Sequence, residues 1–178
     1  MLPSKTTKTQ QTIKAMKIVS WVVFVGFSYT AGIILISFIV SFFDSATALK
    51  VYNDQNLYKL CLYDFPKYSL MIMILIAFVA MKATIWYMVI KIISKIELKN
   101  PFTNDVVRRL ENISYIIFIT GILGFLGNLY LSTFREIIIR LNISFEGSNF
   151  VLLAILVFII SQIFKRGVEL QSENELTV

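Results

Sequence analysis

Four long apolar runs leave this chain few ways to fold. They span residues 18–43 (IVSWVVFVGFSYTAGIILISFIVSFF), 68–90, 113–131 (ISYIIFITGILGFLGNLYL) and 149–164, the last with Ser148 and Asn149 drawn into its start. A helix crosses the hydrocarbon core of a bilayer with ~20 residues. The runs are continuous and do not alternate apolar with polar residues, so they predict helices and not the strands of a barrel. The expected fold is an all-α integral membrane four-helix bundle, one domain over residues 1–178, with a short N-terminal arm at 1–17 and a tail at 165–178. The first run follows Lys5, Lys8, Lys14 and Lys17, and the A-x-A-like SATA at 45–48 comes after it. It is longer than the ~7–15 residue apolar core of a cleaved signal, so a retained signal-anchor is expected.

Composition removes several function classes. Charged residues make up 16% of the chain, against about 25% in ordinary soluble domains. The net charge of +6 could suit nucleic acid, but the basic residues gather at the ends of the apolar runs, where anionic headgroups meet them. Direct nucleic-acid binding is therefore not expected. Histidine is absent and cysteine occurs once, at Cys61. That rules out an intramolecular disulfide, a Cys/His zinc site and a Ser-His-Asp or Cys-His relay. No Asp or Glu lies within the four runs. The sequence thus points to no catalytic, metal or cofactor residues, and to a protein that is not an enzyme.

Basic residues also set the expected orientation. With both termini cytoplasmic, the inner side holds Lys5, Lys8, Lys14, Lys17, Lys91, Lys95, Lys99, Arg108, Arg109, Lys165 and Arg166. The outer side holds Lys50, Lys59, Lys67, Arg135 and Arg140. Of the outer connections, 44–67 carries a candidate hairpin around its NDQN turn. TFREIIIRLNISFEG reads as an interfacial helix or an extension of the third span.

Lys82 is the one charge within a span, in AFVAMKATIWYM. Trp86 and Tyr87 follow it, and such aromatics favour the headgroup level. From Tyr68 to Trp86 is ~27 Å of helix, close to one hydrocarbon thickness. The expectation is a lysine about one turn inside the cytoplasmic boundary that snorkels outward. The alternative turns it inward as an intramembrane polar site with Asn128 and Gln162, and with Ser28, Tyr29, Thr30 and Ser161 as further neutral partners. In the third run Gly121, Gly124 and Gly127 recur every three residues. They suit close helix packing, as do Gly26, Ala31 and Gly32 on the first, either within the bundle or in a homo-oligomer.

Two phrases remain at the cytoplasmic side. In NPFTNDVVRRLENISYI, Pro101 enforces a break. Thr103 then N-caps a new helix with Asp105 in its first turn, and Val106, Val107, Leu110 and Ile113 form its apolar stripe. The tail reads IFKRGVELQSENELTV. With the four-run layout, these phrases resemble the bacterial membrane family known as domain of unknown function 2975. The Pro101-Phe102 turn with Leu110 carries one block. Lys165, Arg166, Gly167, Leu170, Glu173, Glu175, Leu176, Thr177 and Val178 carry the other. The resemblance implies a bacterial cytoplasmic (inner) membrane protein with no established activity, and it implies a neighbouring small helix-turn-helix regulator as a possible partner. Both blocks fall on one side. We therefore expect a surface for docking or regulation of a soluble partner at Pro101, Phe102, Arg108, Arg109, Lys165, Arg166, Gly167, Leu170, Glu173 and Leu176. There Glu169, Glu173 and Glu175 would pair with Arg108 and Arg109. The competing reading is a small oligomeric transporter or channel lined by Lys82, Ser28, Asn128 and Gln162.

Overall fold

The computed structural model describes residues 8–43, 61, 64–95, 103–133, 145 and 147–175. The expected hairpin at 51–63 apart from Cys61, the outer connection at 134–144, and Pro101, Phe102 and Leu176 lie outside the described residues. Four helices follow in order: α1 (Lys8–Ser41), α2 (Phe65–Lys95), α3 (Asn104–Ser132) and α4 (Gly147–Glu175). All four are long and apolar enough to cross a membrane, and the chain is a multi-pass membrane protein.

Local chemistry sets the helix starts. The Asp64 carboxylate accepts the Lys67 backbone N–H (3.2 Å) and pairs with Lys67 Nζ (2.7 Å) just before α2. Those two bonds, the side-chain one first, hold its carboxyl below the ordinary range. Thr103 has extended geometry and its hydroxyl accepts from Val106 N, with Asp105 in the first turn of α3. Val106, Val107 and Ile113 are buried, as their stripe predicts.

The helices alternate in direction. Phe38 meets Tyr68 and Phe24 meets Tyr87 across α1 and α2, at ring separations of 6.4 and 5.7 Å. Across α2 and α3, the Tyr130 hydroxyl donates to the Lys67 carbonyl (3.2 Å) at one end, while Ile85 and Ile92 cluster with Ile113 and Ile117 toward the other. The start of α1 and the end of α4 therefore share one end of the bundle.

Each helix packs mainly on its neighbours in sequence. α1 is peripheral, with 6% of its most apolar window buried, against 39% for α3. It meets α2 along a seam in which Ser20, Phe27, Ile34 and Ser41 recur every seven residues, with Phe24, Ala31 and Phe38 between them. That period is the one left-handed helix pairs use. The buried serines of α1 each donate to a carbonyl about one turn back, Ser20 to Met16 and Ser37 to Ile33 at 2.8 Å and Ser41 to Phe38 at 2.6 Å, which satisfies the hydroxyls without a partner helix. The glycines of α1 do not pack within the chain: a Cβ added at Gly26 or Gly32 meets nothing within 4 Å.

Candidate functional site

The closest helix contact forms where the glycine pattern of α3 meets the start of α4. A Cβ placed on Gly124 would lie 3.0 Å from Gly147 Cα, and one placed on Gly147 only 2.6 Å from Phe125 N. A Cβ on Gly121 would lie 2.9 Å from a Val151 methyl, and one on Gly127 2.8 Å from the Phe145 ring. The stripe thus lets the two backbones touch within one chain.

This contact also fixes depth. From Gly124, level with the start of α4, α3 continues to Ser132, a further ~12 Å at ~1.5 Å per residue. α4 therefore begins about two turns short of the end of α3, and the non-helical backbone at Phe145 lies level with Gly127 and Asn128. Non-helical backbone beside a spanning helix needs protein partners for its polar groups. Asn128 supplies them: its Oδ1 accepts the Phe145 N–H (2.9 Å) and its Nδ2 donates to the Phe145 carbonyl (2.5 Å). One side-chain amide pairs both polar groups of a single residue, as a neighbouring strand would.

Lys82 stands beside this junction. Its Nζ lies 4.6 Å from the Phe78 ring centroid, 5.2 Å from Phe150 and 5.7 Å from Phe27, so three helices contribute to its cage. Phe78 in turn packs edge-on against Phe145 at 5.1 Å and Phe150 at 5.7 Å. The snorkelling expectation is corrected here. Side chains on a helix lean toward its N-terminus, so the ammonium settles over the ring one turn before it, away from Trp86 and Tyr87. The cage is electrostatically favourable because each ring presents its negative face to the cation. Among the described residues no carboxylate pairs with Lys82.

Gln162 belongs to a different level. Its Nε2 donates to Glu111 Oε1 (3.2 Å) and contacts the Ser161 hydroxyl (3.4 Å), bridging α4 to α3 near the termini-bearing end. Asn128 lies seventeen residues beyond Glu111 on α3, ~25 Å along the axis. Ser28 and Tyr29 face outward on α1. Lys82 and Asn128 therefore flank one junction through Phe78 and Phe145, whereas Gln162 stands apart from both.

At the termini-bearing end α3 and α4 run past their apolar runs as continuous helix. Of the expected tail contacts, those of Arg109 and Glu169 are corrected: each closes an ion pair within its own helix. Arg109 Nε binds Asp105 (3.0 Å) and Arg166 Nη1 binds Glu169 (2.8 Å). Glu169, with Glu173 nearby, holds the Arg166 guanidinium above its ordinary pKa. A bond three or four residues away forms at little entropic cost, so these charges are taken locally. Arg108, Lys165 and Glu173 are exposed, Leu170 is 47% exposed, and Gly167 is half-buried. Among the described residues no group of three or more Cys, Asp or Glu side chains is placed to hold a metal.

Sequence reasoning missed Phe27, Phe78, Phe145 and Phe150. Of the cage rings only Phe78 carries a local signal, lying four residues before Lys82 on the same helix.

No curated protein and no solved structure matches the chain. Residues 52–178 match the family described as "Protein of unknown function (DUF2975)". That match takes in α2, α3 and α4, hence the glycine contact, the Lys82 cage apart from Phe27, and both sequence blocks. With well over half its length matched, the chain belongs to the DUF2975 family of proteins of unknown function.

Proposed function

We propose that this protein is a non-enzymatic protein of the bacterial inner membrane whose termini-bearing end faces the cytoplasm and docks a soluble regulatory partner. A small helix-turn-helix regulator fits that role. The observation that carries the reading is the pair of helical extensions at this end. α4 continues from the end of its apolar run at Phe164 to Glu175, ~16 Å, and α3 begins ~13 Å before its run. The Gln162–Glu111 bond ties their bases together. Because the ion pairs close within each helix, Arg108, Lys165 and the exposed Leu170 remain presented outward. A formed helix costs a partner less ordering entropy than a coil that must fold on binding.

Gln162 lies ~25 Å along the axis from Asn128 and Lys82 is enclosed by phenyl rings, so the reading as an oligomeric transporter or channel is not adopted. To test the docking reading, the tagged protein is crosslinked in its native membrane beside a chain truncated after Arg166 that inserts and accumulates equally. A soluble protein captured by the full chain and lost on truncation is the expected result. Equal capture by both chains contradicts it.

A further inference from the structure

A groove of about 260 Å3 opens between α3 and α4, lined by Ser114, Tyr115, Phe118, Ala154, Ile155 and Phe158. Its walls are almost wholly apolar, since the Ser114 hydroxyl turns back onto the Glu111 carbonyl (2.7 Å). Tyr115 and Phe158 flank it with ring centroids 6.4 Å apart. Tyr115, Phe118, Ile155 and Phe158 are all substantially exposed, so the groove opens toward lipid.

Charge stands above it, toward the termini-bearing end. Arg108 lies seven residues before Tyr115 on α3, and Lys165 seven residues after Phe158 on α4. Seven residues are ~10.5 Å and return to within about 20° of the same helix face. Arg109 and Arg166 are taken by Asp105 and Glu169, whereas Arg108 and Lys165 have no ion-pair partner among the described residues. The carboxylate on the rung between them, Glu111, is engaged by Gln162. Side chains on α4 lean toward its N-terminus, which carries Lys165 back toward the groove. The Arg108 guanidinium suits a phosphate through two parallel N–H donors.

An apolar slot beneath two uncommitted cations matches the two ends of one amphiphile. We propose that this groove binds an anionic phospholipid from the leaflet at the termini-bearing end, with an acyl chain along Phe118, Ile155 and Phe158 and the phosphate between Arg108 and Lys165. The site shares those two cations with the docking surface but does not depend on a docked partner, because lipid retention is read on purified protein alone.

The test uses the full chain in mild detergent, with dioleoyl-phosphatidylglycerol or dioleoyl-phosphatidylcholine added and bound lipid counted by native mass spectrometry. The two lipids share their chains and differ in charge. Wild type is expected to keep one phosphatidylglycerol with a preference of roughly tenfold or more. R108Q/K165Q brings that preference toward one. K14Q/K17Q, which removes equal charge from the same end of α1, leaves it unchanged. I155W fills the groove and lowers retention of either lipid at unchanged helix content. Equal retention of both lipids by wild type, an unaltered preference in R108Q/K165Q, or an equal loss in K14Q/K17Q overturns the proposal.

Discussion

The Lys82 ammonium lies over three phenyl rings beside the first turn of α4, where free N–H groups already make the potential positive. The balance at this residue can be weighed. A cation in the membrane interior costs about 2.5–3.5 kcal/mol, and cation–π contacts return about 0.5–2 kcal/mol. Lys82→Met keeps the apolar stem and removes the charge, so it is expected to stabilise the fold by on the order of 1 kcal/mol, measured by reversible unfolding in mixed micelles. A clear loss of stability would reveal an anionic partner for the ammonium. Asn128 acts in the opposite sense, since both of its bonds satisfy buried backbone at Phe145. Asn128→Ala leaves the Phe145 N–H unpaired, while its carbonyl keeps the Gly147 N–H (2.9 Å), at an expected cost of about 1–3 kcal/mol in the same assay. Of these two residues the sequence exposes the identity but not the role. Lys82 is conspicuous as a charge in an apolar run, yet two of its three rings come from other helices, and nothing in their local sequence pairs them with it.

At the scale of the helices, the glycines separate into two kinds. Gly124 and Gly147 sit where backbones touch, whereas Gly26 has open space around it. Gly147→Ala must push α4 off α3, with an expected loss of about 1–3 kcal/mol from overpacking. Gly26→Ala meets no neighbour and should be neutral or stabilising by up to ~1 kcal/mol through helix propensity. Unfolding of the two variants side by side checks the contrast; equal effects would contradict the assigned contact. The spans themselves were legible because continuous apolar runs of membrane length have few other solutions, and the Thr103 cap because its chemistry is local. The packed face of α3 was legible from its Val106–Ile113 stripe and its glycines; that of α1 was not. A helix in lipid is apolar all round, so the periodicity that marks the buried side of a soluble helix is weak. For the same reason the glycines of α1 and α3 looked alike in sequence, although those of α3 pack and those of α1 do not.

Taken whole, the molecule is an up-and-down set of four helices whose α3–α4 contact starts α4 about two turns short of the end of α3 and carries it past its apolar run as a helical extension. Arg108, Lys165 and Leu170 are exposed on those extensions, and the docking proposal requires that this end meet the cytoplasm. The distribution of basic residues predicts that orientation, and a single-cysteine scan tests it. In a Cys61→Ser background, Glu173→Cys is treated with a membrane-impermeant maleimide in intact cells and again after the inner membrane is opened. The account predicts protection in intact cells and full labelling once the membrane is opened. Labelling of Glu173→Cys in intact cells would place the end of α4 outside and contradict docking to a cytoplasmic partner.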